Sequence, residues 1–254
     1  MPVIAVFNQK GGVGKTITIL NLGGALAARG RRPVLIDLDP QASLSLAMGL
    51  RTVQPSQSVY AYFNDGKPLS ALIRSQSSGV RLIPSSLELS KVEALHGGDA
   101  SISGKLKQGI DAELAATGSP ILLDCCPMLG VLTLNALIAA DRVLMPVAAD
   151  YLSLEGVHKL DAALGVLEKR LGKQFRRRVL ITRFDARRRL SFEIRRQLEA
   201  RFEQTTCRTA ITETVSLAES PMHGKDIFAH APHSQGAKDY QALTDELEAG
   251  NFFG

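Results

Sequence analysis

Apolar residues in this chain fall into short unbroken blocks rather than alternating positions. Val3–Phe7, Pro33–Leu38, Val80–Ile83, Ile121–Asp124, Val143–Val147 and Val179–Thr182 are such blocks. Blocks of this length without alternation predict parallel strands covered on both faces. Between them, Thr16–Ala28, Leu132–Ala140, Gly156–Leu171 and Leu190–Phe202 carry apolar residues at helical spacing, and Gly30 closes the first of these helices. Strand and helix alternating in this way predict an α/β fold: a doubly wound, mostly parallel sheet with helices on both faces. Residues 51–78 are rich in Ser and Gln and weakly periodic, so a mobile loop with a short helix is expected there. No internal repeat or long linker interrupts the pattern, and a single domain over residues 1–254 is the expectation.

Composition adds limits. The 254 residues are 45% hydrophobic, enough for a sizeable core. No apolar run reaches the roughly 18–20 residues that span a bilayer, and the first strand begins too early to leave room for a signal peptide. A cytoplasmic protein is therefore expected. Of three cysteines, Cys125 and Cys126 are adjacent, and neighbours on a strand point to opposite faces. No Cys or His cluster has metal-site spacing, so buried, reduced thiols are expected. Net charge is +5, but residues 165–208 hold fourteen Lys and Arg against five Asp and Glu, so the remainder is acidic. One basic segment raises a polyanion as a partner.

The chemistry concentrates in Lys10-Gly-Gly-Val-Gly-Lys-Thr16, between the first strand and the first helix. A phosphate cradle needs a tight turn of converging backbone N–H groups that opens a helix, whose dipole favours negative charge. Gly11, Gly12 and Gly14 supply the permissive backbone, and Val13 and Ile17 complete the segment with Lys10. Lys15 brings a point charge to the β- and γ-phosphates, and Thr16 a hydroxyl for Mg²⁺. These residues predict a Mg²⁺-dependent ATPase using ATP and releasing ADP.

Carboxylates follow at two strand ends, where ligands of parallel sheets bind. Asp37 and Asp39 share one face as the second strand runs out, and Asp124 ends an apolar strand in the manner of a Walker B segment. One aspartate can position an attacking water or hold Mg²⁺. Asp39 and Asp124 are the expected metal-side carboxylates, with Asp39 also catalytic beside Lys10 and Lys15.

The general phosphate-loop pattern would place a glycine at Gln9; here Lys10 precedes the glycines instead. In this the chain resembles the deviant Walker A group, in which the early lysine reaches the partner's nucleotide across a dimer interface. Phe7–Thr16, Leu35–Gln41, Ile121–Ala140, Leu144–Gly156 and Leu217–Ala237 resemble the ParA/Soj partition ATPases. The resemblance implies ATP-driven homodimerisation, sequence-independent DNA binding at the nucleoid, and hydrolysis stimulated by a ParB-like or cargo-adaptor protein. It implies Lys10 acting in trans, hydrolysis promoted by Asp39, and Arg183 with Ile211 and Thr212 around adenine. There are departures. The family commonly reads Asp-x-Pro-Pro-Ser after Walker B, where this chain reads Asp124-Cys-Cys-Pro-Met128. Where the family commonly carries Pro-Arg-Asn-Val-Arg, this chain has Thr212-Glu-Thr-Val-Ser216, which removes an arginine at Ser216 and adds the acidic Glu213.

DNA binding would then fall to another surface. Leu190, Ile194, Leu198 and Phe202 recur at four-residue spacing and predict an inward face. Arg188 with Arg195, and Arg189 with Arg196, lie seven apart on the outer face. Arg187 matches a DNA-contacting arginine of the family, and Arg176, Arg177 and Arg178 form a second basic cluster. The alternative is a MinD-like ATPase that cycles on membranes. Its basic amphipathic tail has no counterpart in the acidic Leu243–Gly254, although Phe252 and Phe253 leave insertion or packing open. A metabolic reductase or synthetase on the same loop is a third class, and the cysteine spacing argues against the reductase.

Overall fold

The computed structural model describes residues 1–96 and 102–253. In chain order the elements are β1 (Val3–Val6), α1 (Lys15–Ala28), β2 (Val34–Asp37), α2 (Ser43–Ala47), α3 (Val59–Asp65), β3 (Arg74–Ser75), β4 (Arg81–Ile83), α4 (Ser90–His96) and α5 (Lys105–Gly109). There follow β5 (Ile121–Asp124), α6 (Val131–Ala139), β6 (Arg142–Ala148), α7 (Tyr151–Leu171), β7 (Arg176–Phe184) and α8 (Arg189–Arg201). The chain ends with β8 (Thr206–Thr212), α9 (Val215–Glu219), α10 (Ile227–His230) and α11 (Gln235–Ala249). The strands form one sheet in the order β3-β4-β2-β5-β1-β6-β7-β8. Every pairing is parallel except β3 with β4. Because β1 leads to β2 on one side and β6 to β8 lie on the other, the order reverses around β1. The crevice beyond its carboxyl end is where such sheets bind ligands.

Each strand is apolar on both faces, and its side chains split by parity between two cores. Val3, Ala5 and Phe7 face the layer that contains α6 to α8 through Leu132, Leu160 and Ile194. Ile4 and Val6 face the other layer with Ile19, Leu22 and Leu26 of α1 and Tyr240, Leu243 and Leu247 of α11. Helices therefore cover both faces, as the sequence predicted.

Several expectations need correction. The Ser/Gln-rich stretch is more ordered than a loop: it contains α3, short 3₁₀ turns at Pro55–Gln57 and Leu69–Leu72, and β3. Leu190 is 50% exposed, because α8 starts one residue before it and its buried stripe is Ser191, Ile194 and Leu198. Of the two outcomes left open for the tail, the structure shows packing: Phe252 and Phe253 are each 2% exposed in the α1/α11 core. The triple arginine at the start of β7 is consumed internally. Arg176 donates to the carbonyls of Asn251 and Gly250, Arg177 pairs with Asp161 and Glu168, and Arg178 with Glu246. Those guanidiniums tie α7 and the C-terminal segment to the sheet rather than forming an open basic patch. All three cysteines are buried free thiols, as expected, but Cys125 and Cys126 follow the end of β5. Among the described residues, no helix is long and apolar enough to cross a membrane.

Candidate phosphate-binding site

The glycine segment leaves β1 at the centre of the sheet and is pinned at both ends. The Asn8 side-chain amide donates to Pro146 O of β6 at 2.8 Å, and its oxygen accepts Lys10 N at 3.0 Å. At the other end the Thr182 hydroxyl of β7 donates to Val13 O at 2.8 Å. Gly12 and Gly14 adopt φ of 75° and 85°, the left-handed region that only glycine enters without strain. A side chain on Gly11 or Gly12 would meet nothing within 4 Å, so that face of the turn is open to a ligand. No side chain caps the first turn of α1, which leaves its N–H groups available to an anion.

Three polar side chains converge on this turn. Lys15 is only 8% exposed, and its ammonium donates to Lys10 O at 3.0 Å. Burial holds its pKa below the ordinary lysine value against the attraction of Asp124. The Thr16 hydroxyl donates to Asp124 Oδ2 at 2.9 Å, while Asp124 Oδ1 is buried with no hydrogen-bond partner. Burial, and next the Asp37 carboxylate, push the Asp124 carboxyl well above the usual range. A hydroxyl beside a buried, unpartnered carboxylate oxygen is an oxygen-only set suited to a hard divalent cation. Among the described residues no three His, Cys, Asp or Glu side chains form a closed metal cage. A cation here needs further oxygens, as from phosphates and water.

The two aspartates after β2 separate into different environments. Asp37 is fully buried and satisfied: Oδ2 accepts the Ser45 N–H at 2.8 Å and its hydroxyl at 2.7 Å, and Oδ1 accepts Asp39 N at 3.2 Å. Burial raises its pKa to about 6 in spite of those bonds. Asp37 thus anchors the start of α2. Asp39 is half-buried, accepts Gln41 N at 2.9 Å, and bears electrostatically on both Lys15 and Asp124. Of the pair, Asp39 is the carboxylate that solvent still reaches.

Lys10 is not a free loop charge. Its ammonium donates to Asp150 Oδ1 at 2.7 Å and to Ser153 Oγ at 2.9 Å, both at the start of α7 of the same chain. Ile17 and Gly14 border a cleft of about 240 Å³ with Thr182, Arg183, Ile211 and Tyr240. Arg183 and Glu213 pair at its rim at 2.7 Å, so the sequence-assigned Arg183, Ile211 and Thr212 do gather beside the glycine turn. Sequence reasoning missed Asn8, which is local to the turn, and Thr182, Asp150 and Ser153, which reach the site from β7 and the start of α7. It also missed Glu93, whose carboxylate accepts Val131 N and Leu132 N, both at 2.9 Å, and so fixes the segment after Asp124.

The basic helix lies apart from this crevice in sequence and keeps its charges outward. Arg187, Arg188 and Arg196 have side chains 89%, 67% and 73% exposed. Each is partnered: Arg187 and Arg188 with Asp185, Arg196 with Glu193, and Arg195 with Glu199. Arg187 holds the Asp185 carboxyl down to about 2, and Arg196 does the same for Glu193. Arg189 is exposed. The surface offers cations to a polyanion, at the expense of exchanging local carboxylates.

Comparison with known proteins bears on all of this. A family model described as an AAA domain matches residues 1–177. The sporulation initiation inhibitor protein Soj of Bacillus subtilis is 35% identical over 249 residues, covering 97% of this chain and 98% of that protein. The chromosome-partitioning ATPase Soj of Thermus thermophilus is 40% identical over 250 residues, covering 97% and 95%. Among solved structures, cobyrinic acid a,c-diamide synthase from Mycobacterium smegmatis with bound ADP and magnesium superposes with a TM-score of 0.84 at 29% identity, over 99% of this chain and 96% of that one. Near-complete alignment at these identities, on a chain that folds its glycine turn against Thr16 and Asp124, makes it a member of the Soj and ParA family of chromosome-partitioning ATPases.

Proposed function

We propose that this chain, acting as one domain, is a Mg²⁺-dependent positioning ATPase that dimerises on ATP, binds DNA without sequence preference and releases it after hydrolysis to ADP and phosphate. The observation that carries the nucleotide reading is the buried, unpartnered Asp124 Oδ1 beside the Thr16 hydroxyl, next to the open face of the turn at Gly11 and Gly12. In this reading Lys15 turns from Lys10 O to the β- and γ-phosphates, and the amides of residues 11–17 hold the remaining oxygens. Thr16, Asp39 and Asp124 hold Mg²⁺, directly or through its water shell. Bound there, the ion neutralises developing phosphate charge. Asp39 orients the attacking water, and Lys10 reaches the nucleotide of a second copy.

Arg187, Arg188, Arg189, Arg195 and Arg196 are the proposed DNA-contacting residues. With Ser216 where the family carries an arginine, this segment is the basic surface that remains to meet a polyanion, its guanidiniums exchanging Asp185, Glu193 and Glu199 for phosphate. Pairing two copies would double the array and tie DNA affinity to ATP. A site that neutralises ~6–10 phosphates loses ~10³–10⁵ in affinity between 50 and 200 mM salt. The test is a gel shift with ATP, with ADP and without nucleotide across that salt range. ATP-dependent, steeply salt-sensitive binding is expected; its absence overturns the DNA part of the proposal. Residence would then be cytoplasmic, on the nucleoid, with a ParB-like or cargo-adaptor protein triggering hydrolysis.

The membrane-cycling alternative is weakened by the tail, since Phe252 and Phe253 would have to leave the core before inserting. Vesicle co-sedimentation with ATP decides it. The kinship with a synthase at 29% identity favours a second reading, ATP turnover dependent on a metabolic substrate. Turnover that rises with DNA and a protein partner rather than with small molecules separates the two.

A further inference from the structure

Lys10 is the lysine that the proposed function sends to a second subunit, yet here its ammonium is bound at home. Asp150 Oδ1 takes it at 2.7 Å and Ser153 Oγ at 2.9 Å. The acceptors are themselves ordered. Asp150 caps α7, with Oδ1 accepting Ser153 N at 2.9 Å and Oδ2 accepting the Ser153 hydroxyl at 2.9 Å. The hydroxyl that donates to Asp150 thereby presents its lone pairs to Lys10, so carboxylate and hydroxyl form one pre-set receptor for a single ammonium. Partial burial pushes the Asp150 carboxyl up, but hydrogen bonds from Lys10 and Ser153 outweigh it and draw the group below its ordinary value.

An ammonium has three donors on one nitrogen at the end of a flexible stem, and a position in the Asp150–Ser153 receptor excludes a position on a partner's phosphate. We infer that Asp150 and Ser153 are positioning residues that hold Lys10 in cis, and that opening this contact is a step every subunit must take before an ATP-bound pair can close. The inference rests on the trans role given to Lys10 under the proposed function. It goes beyond that role by naming what competes with it and which side chains set the threshold for assembly. It also connects assembly to α7: its exposed Tyr151 and Leu152, at 60% and 69%, sit between the two latch acceptors.

The contact is partly wet, with side-chain exposures of 33% for Lys10 and 44% for Asp150. Pairs of this kind hold by up to about fivefold in equilibrium terms. Two latches open per dimer, so the dimer constant should change by up to about twenty-fivefold. The experiment uses Asp150→Asn, which keeps the helix cap but drops the charge, and Ser153→Ala, which drops the hydroxyl. Each is combined with Asp39→Ala to suppress turnover, and dimerisation on Mg²⁺ and ATP is followed by sedimentation velocity. Tighter dimers in both variants, on the order of fivefold to twenty-fivefold, are expected; a gain of assembly is not what simple damage to α7 produces. Unchanged or weaker dimers in both overturn the latch. Lys10→Ala is measured in parallel. If it dimerises like the parent, the trans role itself fails; if it does not while the latch variants stay at parental affinity, only the latch fails.

Discussion

Replacing Asp124 by asparagine separates what this carboxylate does for folding from what it does for the ligand, with opposite signs. The wild-type side chain is 1% exposed, lies against the Asp37 carboxylate, and leaves Oδ1 without a partner. A buried polar atom without a partner costs about 1–3 kcal/mol. Asparagine can keep the acceptor that Thr16 uses and replaces the unpartnered oxygen by an N–H donor facing the acidic pair. A gain of about 1 kcal/mol is expected without nucleotide, which raises Tm by about 2–4 °C for a chain of this size. The sign with pH follows from the raised folded-state pKa. The folded carboxyl holds its proton longer than the unfolded one, so wild-type stability falls as pH rises through that pKa. The variant has no such group, and its advantage should be absent in acid and open on going to pH 8. Mg²⁺ and ATP should reverse the ranking. At a hundred times Kd a ligand stabilises by about 2.7 kcal/mol, and the Asp124→Asn variant should forfeit most of this. Thermal unfolding at pH 5.5 and 8, with EDTA or with Mg²⁺ and ATP, reads all four states. If the variant melts below wild type in EDTA at pH 8, or gains as much from Mg²⁺ and ATP, the reading of Asp124 is refuted.

Other perturbations are simpler. Asp39→Ala should still bind ATP and dimerise while losing about 100-fold or more in phosphate release, and normal turnover would remove Asp39 from the chemistry. Lys15→Ala should show no heat with Mg²⁺ and ATP in calorimetry while remaining folded by circular dichroism. Phe253→Ala empties a position that is 2% exposed and should cost about 3–5 kcal/mol in urea unfolding, with vesicle binding unchanged. Asp37, with its pKa at about 6, should make stability fall as pH rises from about 4 to 6, and Asp37→Asn should flatten that slope in urea titrations.

The glycine turn with its lysines and the carboxylates at two strand ends were legible as candidates because each pattern is local. A phosphate cradle needs amides a few residues apart, and the chain spells them consecutively. The central strands were legible because burial on both faces leaves an unbroken apolar block. β8 was not, since Thr206–Thr212 lies at the sheet's edge, is only partly buried and has few large apolar residues. α11 carried a signal that the charge-rich tail concealed, with Ala237, Tyr240, Leu243 and Leu247 at helical intervals and all buried.

What only the folded chain decided is the pairing of distant charges. Nothing local marks Asp37 as an anchor and Asp39 as the open carboxylate. The difference arises because Ser45 arrives to saturate one and not the other. The triple arginine reads as a basic patch until α7 and the C-terminal segment supply its partners. Lys10 reads in the sequence as a lysine directed at a second subunit, and only the fold shows that the turn after β6 brings it Asp150, 140 residues away in sequence. Local chemistry and strand identity follow from residue order because backbone sterics and burial act over a few positions. Charge partners depend on which strands become neighbours, and that is settled by packing the whole sheet.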